Sequence, residues 1–174
     1  MKKPTVTDQE EKRYTELQQI ALDFARAGET IGLKKMIDAG LPVDLADEKG
    51  QTLLMLSSYH GRKETARMLL ESGADPDRRN DRGQTPLGGT AFKGYTEIAG
   101  LLLEAGADID ADNGGGISPI HYAAMFGRWD VVELFEQHGA SLKRDPNSRR
   151  GGILLMIARI TGILRKKVAG LFKA

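Results

Sequence analysis

Apolar residues in this chain come in short bursts, and the bursts recur with a fixed period. Lys49-Gly50-Gln51-Thr52-Leu53-Leu54 aligns with Arg82-Gly83-Gln84-Thr85-Pro86-Leu87 and with Gly115-Gly116-Ile117-Ser118-Pro119-Ile120. Each is followed by a stretch of helical character that stops at Gly61, Gly94 or Gly127. A second stretch then closes in Leu69-Leu70-Glu71-Ser72-Gly73-Ala74-Asp75 or in Leu102-Leu103-Glu104-Ala105-Gly106-Ala107-Asp108, and more loosely in Leu134-Phe135-Glu136-Gln137-His138-Gly139-Ala140. Three glycine series carry one period of 33 residues: Gly50, Gly83 and Gly116; Gly28, Gly61, Gly94 and Gly127; Gly40, Gly73, Gly106 and Gly139.

Each punctuation mark has a physical reason. Pro86 and Pro119 fall in the first turn of a helix, where the missing N–H is harmless and the fixed φ suits entry. Thr or Ser just before that position is a good N-cap. A glycine after the last helical residue can adopt the left-handed conformation that closes a helix. The pattern therefore predicts a unit of turn, helix, turn, helix. A single unit cannot bury its apolar face, whereas stacked neighbours can.

These motifs resemble the ankyrin repeat. The family's Thr-Pro-Leu-His box stands as Ser118-Pro119-Ile120-His121, as Thr85-Pro86-Leu87-Gly88, and in degraded form as Thr52-Leu53-Leu54-Met55; the Gly-Ala-Asp closing element stands at 73–75 and 106–108. The resemblance implies an all-α solenoid of about five helix-turn-helix repeats joined by short β-hairpin-like turns. It predicts one domain over 1–174, with an N-terminal capping repeat at 8–45. Core repeats follow at 46–78, 79–111 and 112–143, and a degenerate C-terminal cap with a basic helix at 144–174. The box around Thr85–Gly94 is similar to that of small stand-alone bacterial ankyrin-repeat proteins.

The ends follow the unit less closely. Ile20 to Ala27 reads as the inner helix of the first repeat, with its second helix running to about Asp38. Thr7-Asp8-Gln9-Glu10 resembles a capping box, which would start the first helix near Asp8. Near the other end, Leu154-Leu155-Met156 mimics Leu53-Leu54-Met55, and Gly151 and Gly162 are spaced as Gly50 and Gly61 are. The step from Gly116 to Gly151 is 35 residues, which the polar stretch at 144–150 absorbs as a two-residue insertion.

Charge refines this picture. The chain carries a net +1, but from Arg149 onward there are seven basic residues and no acids, so residues 1–148 carry a net −6. An acidic body argues against nucleic acid as its ligand, because neutralising phosphates requires a basic surface. The N-terminal lysines are not followed by the apolar run of roughly 7–15 residues that a secretory signal needs. The longest apolar run, Ile153 to Ala158, is far short of the roughly 20 residues that span a bilayer. A cytoplasmic location is expected. The chain has no cysteine, which excludes disulfides, thiolate metal sites and a cysteine nucleophile.

No constellation of catalytic residues emerges. His60, His121 and His138 occupy different repeat positions and form no i, i+4 metal pair. His121 fills the box position, and the resemblance implies that its ring bonds the adjoining turn. Asp47, Asp75, Asp77, Asp108 and Asp110 recur at hairpins, which points to turn and cap chemistry. Catalysis needs a unique constellation rather than a repeated one. The glycine-rich stretch Asp112-Asn113-Gly114-Gly115-Gly116 lacks the Gly-Lys-Ser/Thr of a phosphate loop and reads as a loose hairpin. No metal, cofactor or enzymatic activity is expected.

The resemblance implies instead a partner protein bound through the concave face and hairpin tips. The positions concerned are Tyr59 and His60, Phe92 and Lys93, Met125 and Phe126, with Gln51, Gln84 and Ile117 beside them. The tips are Glu48 and Lys49, Asp81 and Arg82, and the glycines at 114–115. Aromatic and methionine side chains in a row are the types that dominate binding hot spots. The chain is expected to act as a monomer. Ile153, Ile157, Ile160, Leu164, Val168 and Leu171 recur at helical spacing with most cations off the stripe. That segment reads as a cap packed on the last repeat. The alternative is a helix that tethers the protein to a membrane surface or an acidic partner. A further alternative is an inhibitor or immunity-type binder using the acidic body.

Overall fold

The computed structural model describes residues 7–142; the expected C-terminal cap, the apolar stripe from Ile153 to Leu171 and the membrane-tether alternative lie outside the described residues. Among the described residues there are eight helices: α1 (Asp8–Ala27), α2 (Thr30–Asp38), α3 (Leu53–Tyr59), α4 (Lys63–Glu71), α5 (Pro86–Lys93), α6 (Thr96–Glu104), α7 (Pro119–Met125) and α8 (Trp129–Gln137). The single β feature among them is an antiparallel bridge between Ala46 and Thr52. The fold is all-α, as the periodicity predicts.

All eleven glycines of the three 33-residue series have positive φ, from 66° at Gly127 to 102° at Gly40. Side chains rarely adopt that region, so glycine at these positions lets the chain reverse without strain. The first helix begins where the capping box places it. The Thr7 N–H donates to Glu10 Oε2 at 2.8 Å, and the Glu10 N–H donates to Thr7 Oγ1 at 3.3 Å. Thr52 and Thr85 cap α3 and α5 by accepting from the N–H groups of Met55 and Gly88. Ser118 departs from this pattern and does not cap α7. Its hydroxyl is instead 2.8 Å from Nδ1 of His121.

Two compact units are present, Met1–Asp75 and Pro76–Ala174. In the first, α1 packs on α2 and α3, and α4 packs on α2 and α3. Ala21, Leu22, Ala25, Leu33, Leu53, Leu54, Ala66 and Leu69 are buried there. In the second, α5 packs on α6 and α7, and α8 packs on α6 and α7. Leu87, Ala91, Ile98, Leu102, Ile120, Val131 and Phe135 are buried in it. Each unit is thus two stacked helix pairs, whose small residues let helices approach and whose Leu, Ile and Phe fill the space between them.

Within each unit an arginine ties one repeat to the repeat before it. Arg62 Nε donates to the carbonyl of Arg26 at 2.9 Å, and Arg128 Nε donates to the carbonyl of Phe92 at 3.1 Å. Both span 36 residues. The aliphatic stem of each lies against a glycine, Gly28 or Gly94, where an added Cβ would come within 2.9 or 2.7 Å of it. Carboxylates make a second tie. Asp44 accepts from the Asp75 N–H at 3.1 Å and Asp77 from the Asp108 N–H at 2.9 Å, both across 31 residues.

Candidate functional site

The hairpins that precede the inner helices are built by side chains that accept from backbone two and four residues ahead. Asp47 Oδ1 takes the N–H groups of Lys49 and Gln51, and Asn80 Oδ1 those of Arg82 and Gln84. This is the turn chemistry expected of Asp47. It presents Glu48, Lys49, Asp81 and Arg82 to solvent, with Gln51 and Gln84 half-buried behind them.

The third hairpin solves the same problem differently. Its backbone is in register, with the Asn113 N–H donating to Ile117 as Asp47 donates to Gln51 and Asn80 to Gln84. The side-chain role passes to Asp112, whose Oδ1 accepts from Gly114 and Gly116. That shift frees Asn113 to turn inward, where it is 2% exposed. Its Oδ1 accepts from the Thr85 N–H at 2.8 Å and the Thr85 hydroxyl at 3.0 Å, while its Nδ2 donates to the Ala111 carbonyl at 2.9 Å. The space it enters is the one Gly88 leaves open. A Cβ at Gly88 would lie 2.0 Å from Asn113 Oδ1. Gly88 stands where the box of the repeat has histidine, so the amide of the following hairpin substitutes for an imidazole. The sequence reading missed Asn113; the missing box histidine was the one signal that could have found it.

His121 is the one box histidine present, and it is half-buried. Burial pushes its pKa below the ordinary histidine value, and the carboxylate of Asp110 works in the opposite direction. The ring's hydrogen bond goes to the Ser118 side chain at the head of its own helix.

The inner helices end in the residues expected to meet a partner. Tyr59 at the end of α3 is 42% exposed, and its ring lies edge-on to that of His60, with centroids 5.7 Å apart. In the second unit, Phe92 at the end of α5 and Phe126 just past α7 meet edge-to-face, with centroids 4.4 Å apart and planes at 73°. Phe92 and Lys93 are half-buried, whereas Met125 and Phe126 are 40% and 45% exposed. Ile117 is half-buried at the base of the third hairpin. Phe92 thus packs between repeats and supports Phe126 from below, while Phe126 and Met125 face solvent. Arg128 bonded to the Phe92 carbonyl borders the pair.

A second exposed apolar strip was not anticipated. Tyr14, Leu17 and Ile20 on α1 and Ile31 on α2 are each more than 40% exposed. α1 has 20 residues against seven in α3, so it is longer than its partner by more than three turns.

Among the described residues no cluster of His, Asp or Glu is arranged to hold a metal ion. Among them, too, no helix is long and apolar enough to cross a membrane.

Comparison with known proteins agrees with this geometry. The family profile described as Ankyrin repeats (3 copies) matches residues 21–113 and 77–146. A Pseudomonas aeruginosa protein named for ankyrin repeats is 46% identical over 46 residues, which span 26% of this chain and 27% of that protein. The profile covers well over half of the chain, and the glycine bends, helix pairs and hairpins fall where its repeat requires them. The chain belongs to the ankyrin-repeat family.

Proposed function

We propose that this protein is a non-enzymatic binding module that holds a partner protein against its inner-helix ends and hairpin tips. Ankyrin repeats generally mediate protein–protein interaction, and the similarity to a Pseudomonas aeruginosa protein fits a bacterial accessory role. The first unit offers Tyr59, His60, Gln51, Glu48 and Lys49. The second offers Phe92, Lys93, Met125, Phe126, Gln84, Ile117, Asp81 and Arg82.

The observation that carries the proposal is the Phe92–Phe126 pair, in which one ring is held between repeats and the other is offered to solvent beside Met125. Large apolar side chains held rigid by packing lose little conformational entropy on binding, so more of the contact energy reaches the complex. The test is capture of partners from native cell extract, identified by mass spectrometry, with wild type and the triple variant Phe92→Ala, Met125→Ala, Phe126→Ala. A partner retained at unchanged affinity by a folded triple variant rejects this surface.

A further inference from the structure

Charge in the second unit is sorted by element. α6, α8 and the segment between α6 and the third hairpin carry Glu97, Glu104, Asp108, Asp110, Asp130, Glu133 and Glu136, all exposed, and no lysine or arginine. The cations of the hairpins, of the segment leading into the first of them and of the inner-helix ends are Arg78, Arg79, Arg82, Lys93 and Arg128, against three carboxylates, Asp77, Asp81 and Asp112. Asp112 is already committed to the amides of Gly114 and Gly116.

The arginines are not spent on those acids. Arg79 donates to the carbonyls of Gly83 and Asp112, and Arg128 to the carbonyl of Phe92. Among the described residues none of Arg79, Arg82 and Arg128 forms an ion pair, although residues 76–142 hold ten carboxylates against five lysines and arginines. A carbonyl bond fixes a guanidinium without cancelling its charge. Arg79 and Arg82 precede α5, and Arg128 lies at its far end beside Phe92. α5 is eight residues long, or about 12 Å. Uncompensated guanidinium groups therefore flank both ends of the helix that carries Phe92, the ring on which the exposed Phe126 rests.

We propose that the Phe92–Met125–Phe126 surface takes an acidic polypeptide segment carrying an apolar anchor. The anchor sits on Phe126 and Met125, and flanking carboxylates reach Arg128 on one side and Arg82 on the other. Aromatic, methionine and arginine side chains are the types enriched in interface cores. Complementary charge at the rim sets orientation and speeds encounter. The acidic α6–α8 face repels the same segment and so confines it to the inner side. Nucleic acid fits less well on this surface, because a long polyanion lying over residues 76–142 would meet ten carboxylates against five lysines and arginines. This inference rests on the protein-binding reading above and names the chemistry of the partner.

The test is fluorescence anisotropy on the full chain with four labelled probes. They are a short Glu-rich peptide with Leu at i, i+3 and i+4, its Lys-for-Glu copy, its Ser-for-Leu copy, and a single-stranded DNA oligonucleotide. The expected result is binding of the Glu–Leu peptide alone, weakened by added salt and about tenfold weaker in Phe126→Ser and in Arg82→Glu. Arg82 makes no side-chain hydrogen bond among the described residues, so its reversal leaves the fold intact even if Arg128→Glu loosens Phe92. Equal or tighter binding of the Lys copy, binding of the oligonucleotide, insensitivity to Arg82→Glu, or no binding by any probe overturns the proposal. A native partner lost from the triple alanine variant, together with a preference for the Lys copy, leaves the protein-binding surface standing and removes only its acidic partner.

Discussion

Asn113 and Gly88 are one structural device made of two residues. The amide satisfies a buried N–H and a buried hydroxyl on Thr85, and the glycine leaves it room. Asn113→Ala strands both groups and costs about 1–3 kcal/mol by the usual penalty for an unsatisfied buried donor. Gly88→Ala in the wild-type background drives a methyl into the amide and is destabilising as well. In the Asn113→Ala background the same methyl meets vacated space, so the two costs add to less than their sum. Urea melts of the four proteins of this cycle measure the coupling. His121 supplies a second expectation at this scale. Its folded pKa lies below the unfolded value of about 6.5. As pH falls through that value the unfolded chain takes up a proton that the folded chain still refuses. The contribution of His121 to stability is therefore complete above the unfolded pKa and is lost as pH drops toward the folded one. His121→Gln removes this part of the acid sensitivity, as denaturation midpoints across the range show.

Among the helices, the caps decide where each begins. Threonine hydroxyls head α1, α3 and α5 and satisfy an N–H that the helix cannot. At α1 the exchange is mutual. The bonds from the Thr7 backbone and hydroxyl hold the Glu10 carboxyl below its ordinary pKa. Thr7→Ala costs about 1 kcal/mol, the usual value for losing an N-cap threonine. The loss falls on the first turns of α1, which are exposed among the described residues, so amide exchange quickens there while α3 and α4 keep their protection. Because the Glu10 pKa is lowered, the capping contribution is present above the ordinary carboxylate range and fades as pH falls through it. The arginine ties act between helix pairs: Arg62 and Arg128 each close a repeat onto its predecessor through a carbonyl that the preceding inner helix leaves open at its C-terminal end.

At the scale of the described residues, the helix pairs share one plan, and the side chains at the ends of the inner helices differ from repeat to repeat: Tyr59, Phe92 with Lys93, and Met125 with Phe126. Met125 and Phe126 are 40% and 45% exposed, so removing them costs the fold less than removing Phe92, which packs between repeats, while all three take contact area from a partner. The triple alanine variant is expected to keep its helical circular dichroism and to lose at least about 2 kcal/mol of binding free energy, the scale of an interface hot spot. Titration calorimetry with the captured partner checks both halves of that statement.

The repeat, its helical bends and the first capping box were legible in the residue order, because helix caps and left-handed glycines are local: a threonine, a proline or a glycine at a fixed offset settles its own few dihedrals. The candidate surface was legible in part. Tyr59, Met125 and Phe126 could be named from their register, but that Phe92 lies under Phe126 rather than beside it depends on how two helices pack. Asn113 filling the place of a box histidine, Ser118 turning from its cap to His121, and arginines bonded to carbonyls instead of carboxylates were all decided in three dimensions. Each joins groups 28 to 36 residues apart or chooses between two partners of similar strength. Local preference sets the elements; only their packing determines which side chain reaches which neighbour and which charge is left facing outward.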